Sequence, residues 1–286
     1  MNRTVKIALY SVLGLFALIG ITFTSIFIAM QFGILNVRGS ILERNSFFSP
    51  ASSTQSTVVV IPSKPCVKDG EKVCLWNETP EWAVVSGGLT KDASIISRVS
   101  SETNVSSRLI ASVVVPEQIR FFTSEREVFK RYFEPLKILG SLSQFSLGVS
   151  GIKQETANQI ELYANDPTSP YYPGDGFNKK LAYAPGVNHD TELYNRLTDP
   201  KNHYYSYLYT ALYIREIQMQ WSRAGFPLDA KPEIVGTLFN IGFKGSVPKA
   251  EPQVAGASIT TGGTTYTFGQ LGGLFYSSNE LRDALK

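Results

Sequence analysis

Hydrophobic positions along this chain begin as one unbroken run and later settle into helical spacing. Residues 7–30 contain no charged side chain. That run is longer than the ~20 residues a helix needs to cross ~30 Å of hydrocarbon. It predicts a membrane-spanning helix over 7–33, preceded by a short tail, 1–6. Residues 34–56, rich in Ser, Asn and Thr from 38 onward except for Phe47 and Phe48, read as a stalk or linker. In 57–78, Thr57-Val-Val-Val-Ile-Pro62 is a candidate strand. Asp69-Gly70 is a turn dipeptide between two β-prone arms, so this part predicts a small β-rich hairpin segment.

From 79 to 286 the pattern becomes helical. Thr79-Pro80-Glu81 is a helix start, with Pro in the first turn. Asp92 to Glu102 puts Ile95, Ile96 and Val99 on one face, and Asn104 is placed to cap a helix carrying Val105, Leu109, Ile110 and Val113. An amphipathic run over 125–140 carries Val128, Phe129, Tyr132, Phe133 and Leu136. Thr156 to Tyr163 continues as helix. Residues 165–202 hold Pro, Gly, Asn and Asp throughout and predict a long loop, a kind of segment that tends to be functional inside a compact domain. Tyr204 to Trp221 repeats Tyr205, Leu208, Leu212, Ile217 and Trp221 at helical spacing. Residues 232–242 read as an apolar helix, 245–265 as a Gly-rich loop or β excursion, and 267–285 as a last helix. Few strands and no alternation of strands with helices make 79–286 a mostly α domain.

Charge and cysteine content narrow the partners. Arg3 and Lys6 supply two of the +3 formal charges, so the part beyond the span is near neutral and offers no basic field for a nucleic acid backbone. The same two residues favour a cytoplasmic N-terminus. No Ala-x-Ala cleavage site follows the apolar run, which favours an uncleaved anchor over a signal peptide. The expected location is the cytoplasmic membrane, single-pass, with the domain on the outer side. Fourteen Tyr, 17 Phe and 3 Trp suit a ligand gripped by hydrogen bonds and ring faces. The two cysteines, Cys66 and Cys74, flank the Asp69-Gly70 turn and read as a disulfide staple in an oxidising compartment. The two histidines, His189 and His203, are far from them in sequence, and no metal site or cofactor is expected.

Three segments in order carry candidate chemistry: Leu-Ile-Ala-Ser-Val-Val-Val-Pro-Glu-Gln (109–118), Phe-Ser-Leu-Gly-Val-Ser-Gly-Ile-Lys-Gln-Glu-Thr-Ala (145–157) and Thr-Leu-Phe-Asn-Ile-Gly-Phe (237–243). Together they resemble the lysozyme-like lytic transglycosylase superfamily, which includes goose-type lysozyme. That family has an apolar helix ending in one acid, a Ser/Gly-rich segment with a Gln, and an Ala-Tyr-Asn-x-Gly. Leu197-Thr-Asp-Pro200 is similar to the segment before the family's penultimate helix. The resemblance spans about 95–285 and implies a lysozyme-like helical domain acting on peptidoglycan glycan strands. Four features depart from it. Pro116 directly before Glu117 is expected to interrupt the helix. Gly151, Lys153 or Gln154 occupies the place of the family Gln, depending on register. Phe239 stands for the usual Tyr, and 28 residues lie between Glu117 and Ser146.

The resemblance makes Glu117 the general acid that protonates the leaving glycosidic oxygen. It also implies that Glu117 then acts as the base while the sugar's own 6-hydroxyl attacks, with no second carboxylate. Val113, Val114, Val115, Ile119, Phe121 and Phe122 give Glu117 an apolar sequence setting, the kind that keeps a carboxyl protonated. Ser146, Gly148 and Gly151 are expected to let the backbone pass close to the sugar, Gln154 to stand as the family Gln in one register, Asn240 to hydrogen-bond the substrate or hold the groove, Gly242 to let the chain turn, and Tyr266 to line the groove. Tyr171, Tyr172 and Tyr204 are candidates for stacking on sugar faces. Glu125, Glu134, Asp166, Asp175 and Asp190 are the acids that could serve as a second carboxylate in a hydrolase. Two other readings stay open: a hydrolytic muramidase on the same fold, and a non-catalytic protein that binds cell-wall glycan. A fixed tether further suggests local action within an envelope or secretion assembly.

Overall fold

The computed structural model describes residues 74–121, 146–199 and 201–286, with scattered helical positions from Tyr10 to Ser25. Among the described residues the domain is mostly helical, with nine α-helices and two short antiparallel hairpins. The helices are α1 (Pro80–Lys91), α2 (Ala93–Thr103), α3 (Ser107–Phe121), α4 (Gln154–Ala164), α5 (Phe177–Leu181), α6 (His189–Thr198), α7 (Tyr204–Arg223), α8 (Pro232–Ile241) and α9 (Phe268–Ser277). Strands β1 (Ser146–Leu147) and β2 (Ile152–Lys153) pair Ser146 with Lys153. Strands β3 (Ser258–Thr261) and β4 (Thr264–Thr267) pair Ile259 with Tyr266. The expected anchor, stalk, strand over 57–62, Asp69-Gly70 turn and amphipathic run over 125–140 lie outside the described residues, apart from seven helical positions in the anchor. At three of these, Tyr10, Phe16 and Ile21, the side chains are 69%, 67% and 68% exposed. Among the described residues no helix is long and apolar enough to cross a membrane.

The centre of the core is α3. Every residue from Leu109 to Ile119 except Glu117 is buried, and a helix with apolar residues on most of its circumference must be enclosed by others. Helices α1, α2, α7, α8 and α9 pack around it. The closest approaches are made through glycine. A Cβ on Gly272 of α9 would stand 2.5 Å from the Ser112 carbonyl oxygen of α3. On Gly269 it would stand 2.2 Å from Thr237 Oγ1 and 2.5 Å from the Glu233 carbonyl oxygen of α8. Side chains of any size at these positions would push α9 off both neighbours.

Arg108 of α3 closes the end of α9. Its guanidinium donates to the carbonyl oxygens of Phe275 and Ser278 at 2.6 Å, Tyr276 at 2.6 Å and Glu280 at 2.8 Å. Phe275 and Tyr276 lie in the last turn of α9, where a cation complements the helix dipole, and Ser278 and Glu280 lie in the turn that follows. Here α9 stops at Ser277, well short of the 285 expected from the apolar pattern. The remaining residues are turns bonded to this cap.

Helix starts follow their side chains. Thr79 caps α1, its Oγ1 accepting from the Trp82 amide at 3.2 Å. Asn104 does not cap α3. It ends α2 in the left-handed conformation at φ 55°, which Asn tolerates better than most residues. Ser106 takes the capping role, its Oγ accepting from the Leu109 amide at 3.1 Å. The expected loop over 165–202 contains two helices. Asn188 caps α6 through the Thr191 amide, and Phe177, Leu181, Leu193 and Leu197 are buried. Dense Pro and Gly hid these elements because both helices are short.

Cys74 is buried, and its amide donates to the Gly262 carbonyl oxygen at 2.7 Å, which ties the start of the domain to the β3–β4 turn. Its expected partner, Cys66, lies outside the described residues.

The glycine seam yields a paired prediction. Gly269→Ala gains helix propensity but forces a methyl against the α8 backbone, so it should destabilise by ~1–3 kcal/mol. Gly87→Ala, at an exposed mid-helix position of α1 with no atom within 4 Å of the new Cβ, should stabilise by ~0.5–1 kcal/mol. Urea midpoints measure both, and equal shifts would refute the close-packed seam.

Candidate active site

Glu117 projects from α3 one residue past Pro116, and the helix runs on to Phe121. The expected interruption does not occur. Pro116 removes one amide and so releases the carbonyl four residues back, that of Ser112. This is the carbonyl that Gly272 approaches. The defect is buried under a neighbouring helix instead of ending the element.

The β1–β2 hairpin is pressed onto Glu117. Its turn begins at Gly148 (φ 68°) and ends at Gly151 (φ 65°). A Cβ on Gly151 would stand 2.2 Å from Glu117 Oε1. Glycine is required here twice over, by the positive φ and by the carboxylate. Gly148 is likewise closed in, with its Cβ position 2.3 Å from the Leu197 carbonyl oxygen of α6 and 2.5 Å from Ser206 Oγ of α7.

Between the two glycines the backbone is clamped from three sides. The Val149 amide donates to Ser206 Oγ at 2.9 Å. The buried Gln118 amide group donates to the Val149 carbonyl oxygen. Thr210 Oγ1 donates to Ser150 Oγ at 2.5 Å. Gln118 follows Glu117 in the helix, so one turn of α3 both carries the acid and fixes the hairpin that touches it.

The surroundings of the carboxylate correct the apolar setting read from its sequence neighbours. Val113, Val114, Val115 and Ile119 are fully buried on other faces of α3. Glu117 instead accepts from Arg120 Nη2 at 2.7 Å on both oxygens. The Glu117 and Arg120 side chains keep 12% and 19% of their exposure. The acid that burial pushes well above the usual carboxyl range is Glu216 of α7, whose two oxygens have no protein partner and which is fully buried.

The other expected site residues divide. Ser146 pairs with Lys153 in the hairpin, and Gln154 begins α4, half-buried. Asn240 accepts from the Ala257 amide at 2.7 Å and so holds the segment entering β3. Gly242 ends α8 at φ 88°. Tyr266 is half-buried against the core. Tyr171 packs between Tyr163 and Phe243, with ring centroids 4.8 and 5.2 Å away.

Tyr204 is not available for stacking. Arg98 covers its ring at 4.2 Å and its hydroxyl donates to Glu102 at 2.6 Å. Tyr172 donates to Asp175, and Asp166 accepts from Thr168 in its own turn. Asp190 is within 3.2 Å of His189. Glu125 and Glu134 lie outside the described residues. Gln118, Arg120, Ser206 and Thr210 were missed by the motif reading. A side chain that supports a hairpin distant in sequence leaves no local signature.

Two polar clusters brace the helices behind the hairpin. Glu161 of α4 accepts from Tyr183 and Tyr209, and its other oxygen lies 2.7 Å from His189 Nε2 at the start of α6. This raises the His189 pKa, chiefly through the Glu161 hydrogen bond. Helix α6 then ends beside Gly148 through Leu197. Glu102 of α2 is partly buried, which favours its neutral form, but bonds from Tyr204, Arg98 and Lys180 outweigh this and hold its pKa down to about 2.

Comparison of the chain with protein-family models, with curated proteins and with solved structures finds no match.

The two clusters predict opposite pH slopes. A raised His189 pKa contributes stability that is full below ~6.5, the unfolded value, and is lost as pH rises through the folded one. A lowered Glu102 pKa contributes stability above the unfolded value of 4.5 that is lost as pH falls toward about 2. The melting difference between parent and His189→Gln should therefore shrink as pH climbs from 5 to 9. That between parent and Glu102→Gln should shrink as pH falls from 7 toward 3. Flat differences would refute both networks.

Proposed function

We propose that this chain is a membrane-anchored lytic transglycosylase, with a lysozyme-like domain that cleaves the β-1,4 bond between N-acetylmuramic acid and N-acetylglucosamine in peptidoglycan. One observation carries the reading. The acid of the first motif, Glu117, and the glycine turn of the second, Gly148–Gly151, meet in space although 28 residues separate Glu117 from Ser146. Helix α8, which holds the third motif, packs against α3 as well. In the proposed reaction Glu117 gives its proton to the leaving oxygen as the C1–O bond breaks. The C6 hydroxyl of the same sugar attacks C1 and returns a proton to Glu117. One carboxylate serves both steps, and a 1,6-anhydro end results. The apolar segment over 7–33 tethers the domain outside the cytoplasmic membrane, near its polymer substrate.

A second reading has its own support. The Arg120 contact on both Glu117 oxygens suits a glycan-binding protein in which the carboxylate is a structural tie.

Glu117→Gln separates the two readings. It preserves shape and removes the transferable proton, so cleavage should fall by 10²–10⁴-fold, roughly 3–5 kcal/mol of barrier. Folding and glycan binding should change little. Glu251→Gln, an exposed acid in the loop before β3, should cleave at the parental rate. Parental cleavage by Glu117→Gln would remove Glu117 from the chemistry.

A further inference from the structure

His189 sits between two carboxylates. Its Nε2 lies 2.7 Å from Glu161 Oε2 on α4, and its Nδ1 lies 3.2 Å from Asp190 Oδ1 on its own helix. An ionised carboxylate only accepts, so this placement asks for a proton on both ring nitrogens, which only the imidazolium carries. The neutral ring keeps one N–H and turns its other lone pair toward an acceptor. The side chain is 44% exposed, so it takes and gives protons directly with solvent.

His189 opens α6, and α6 ends on the hairpin beside Glu117. The helix covers ~12 Å from His189 to Leu197. At its far end the Leu197 carbonyl oxygen stands 2.3 Å from the Cβ position of Gly148. Arg196, one residue earlier, donates to the carbonyl oxygens of Leu181 and Ala182 at 2.7 and 2.8 Å and covers the Tyr183 ring at 4.0 Å. Tyr183 returns to the start of the helix, with its ring centroid 4.7 Å from that of His189 and its hydroxyl donating to Glu161. The titratable and charged groups around His189 are Glu161 of α4, Asp190 of α6, the phenols of Tyr183 and of Tyr209 on α7, and Arg196, which pairs with Glu192 at 3.4 Å. Strand β1, also packed on α6, brings only Ser146 and Leu147.

We propose that His189 is a pH-sensitive latch: with both ring nitrogens protonated it clamps α6 onto α4 and so steadies the glycine hairpin beside Glu117, and loss of a ring proton slackens that hairpin. The pKa of His189 is raised, first by the Glu161 hydrogen bond. The latch is therefore full below ~6.5, the unfolded value, and is released as pH climbs through the folded one. The device goes beyond the transglycosylase reading and does not need Glu117 to be catalytic.

Hydrogen exchange read by mass spectrometry on full-length protein in detergent tests the latch, with rates corrected for the intrinsic effect of pH on amides. Segments 146–153 and 189–198 should exchange ~2–5-fold faster at pH 8.5 than at pH 5.5, the scale of a partly exposed charge pair. Segment 109–119, in the core of α3, should show no such change. His189→Gln should abolish the pH dependence in both segments. That variant keeps His203, so a pH effect arising there would persist. His189→Arg, a cation at both pH values, should stay slow at both. A pH effect confined to 189–198 would overturn the coupling to the hairpin. One that survives in His189→Gln would overturn the role of His189, and equal parental exchange at the two pH values would overturn the latch altogether.

Discussion

Helix α3 is buried on nearly every side between Leu109 and Ile119, and that constraint organises the domain. Its apolar residues leave almost no face for water, so α1, α2, α7, α8 and α9 close over it. Enclosure at close range demands small residues, which is why Gly269 and Gly272 lie where α9 meets α8 and α3. The same enclosure absorbs Pro116. The Ser112 carbonyl, which Pro116 deprives of its usual i+4 amide, faces Gly272 of α9, and the helix continues to Phe121. Glu117 is the single residue between Leu109 and Ile119 that escapes burial, so the fold delivers one carboxylate, and only one from this stretch, to the hairpin.

The hairpin in turn owes its position to residues on three helices. Gln118 of α3 and Ser206 and Thr210 of α7 fix Val149 and Ser150, while the end of α6 backs Gly148. The Glu161 cluster carries this bracing outward to α4 and α6. Electrostatics in the domain are divided accordingly. Glu216 is fully buried with no hydrogen-bond partner on either oxygen, and that burial pushes its pKa well above the usual carboxyl range. Glu117, which keeps some exposure, accepts from the Arg120 guanidinium on both oxygens.

Periodicity revealed what periodicity can encode. The helical spacing of Ile96 and Val99, of Leu208, Leu212 and Ile217, and the Thr79-Pro80 start correspond to α2, α7 and α1. The mostly α class was legible for the same reason. Short elements set by capping were not, and α5 and α6 were hidden among Pro and Gly. Asn104 was ambiguous because the same side chain that can begin a helix also tolerates the left-handed turn that ends one. At the site, positive-φ glycines and the acid were visible as residue types. Arg120 was not, because only three-dimensional placement distinguishes a surface arginine three residues along a helix from one that occupies both carboxylate oxygens.

The products of glycan cleavage test the central claim most directly. Full-length protein in detergent would be incubated with purified peptidoglycan strands, and the released fragments analysed by mass spectrometry. One-carboxylate chemistry at Glu117 predicts fragments ending in 1,6-anhydro-N-acetylmuramic acid. Reducing ends would assign the site to a hydrolase that needs a second carboxylate or a held water. Intact strands that nonetheless bind the protein would contradict the enzyme reading and leave a glycan-recognition protein.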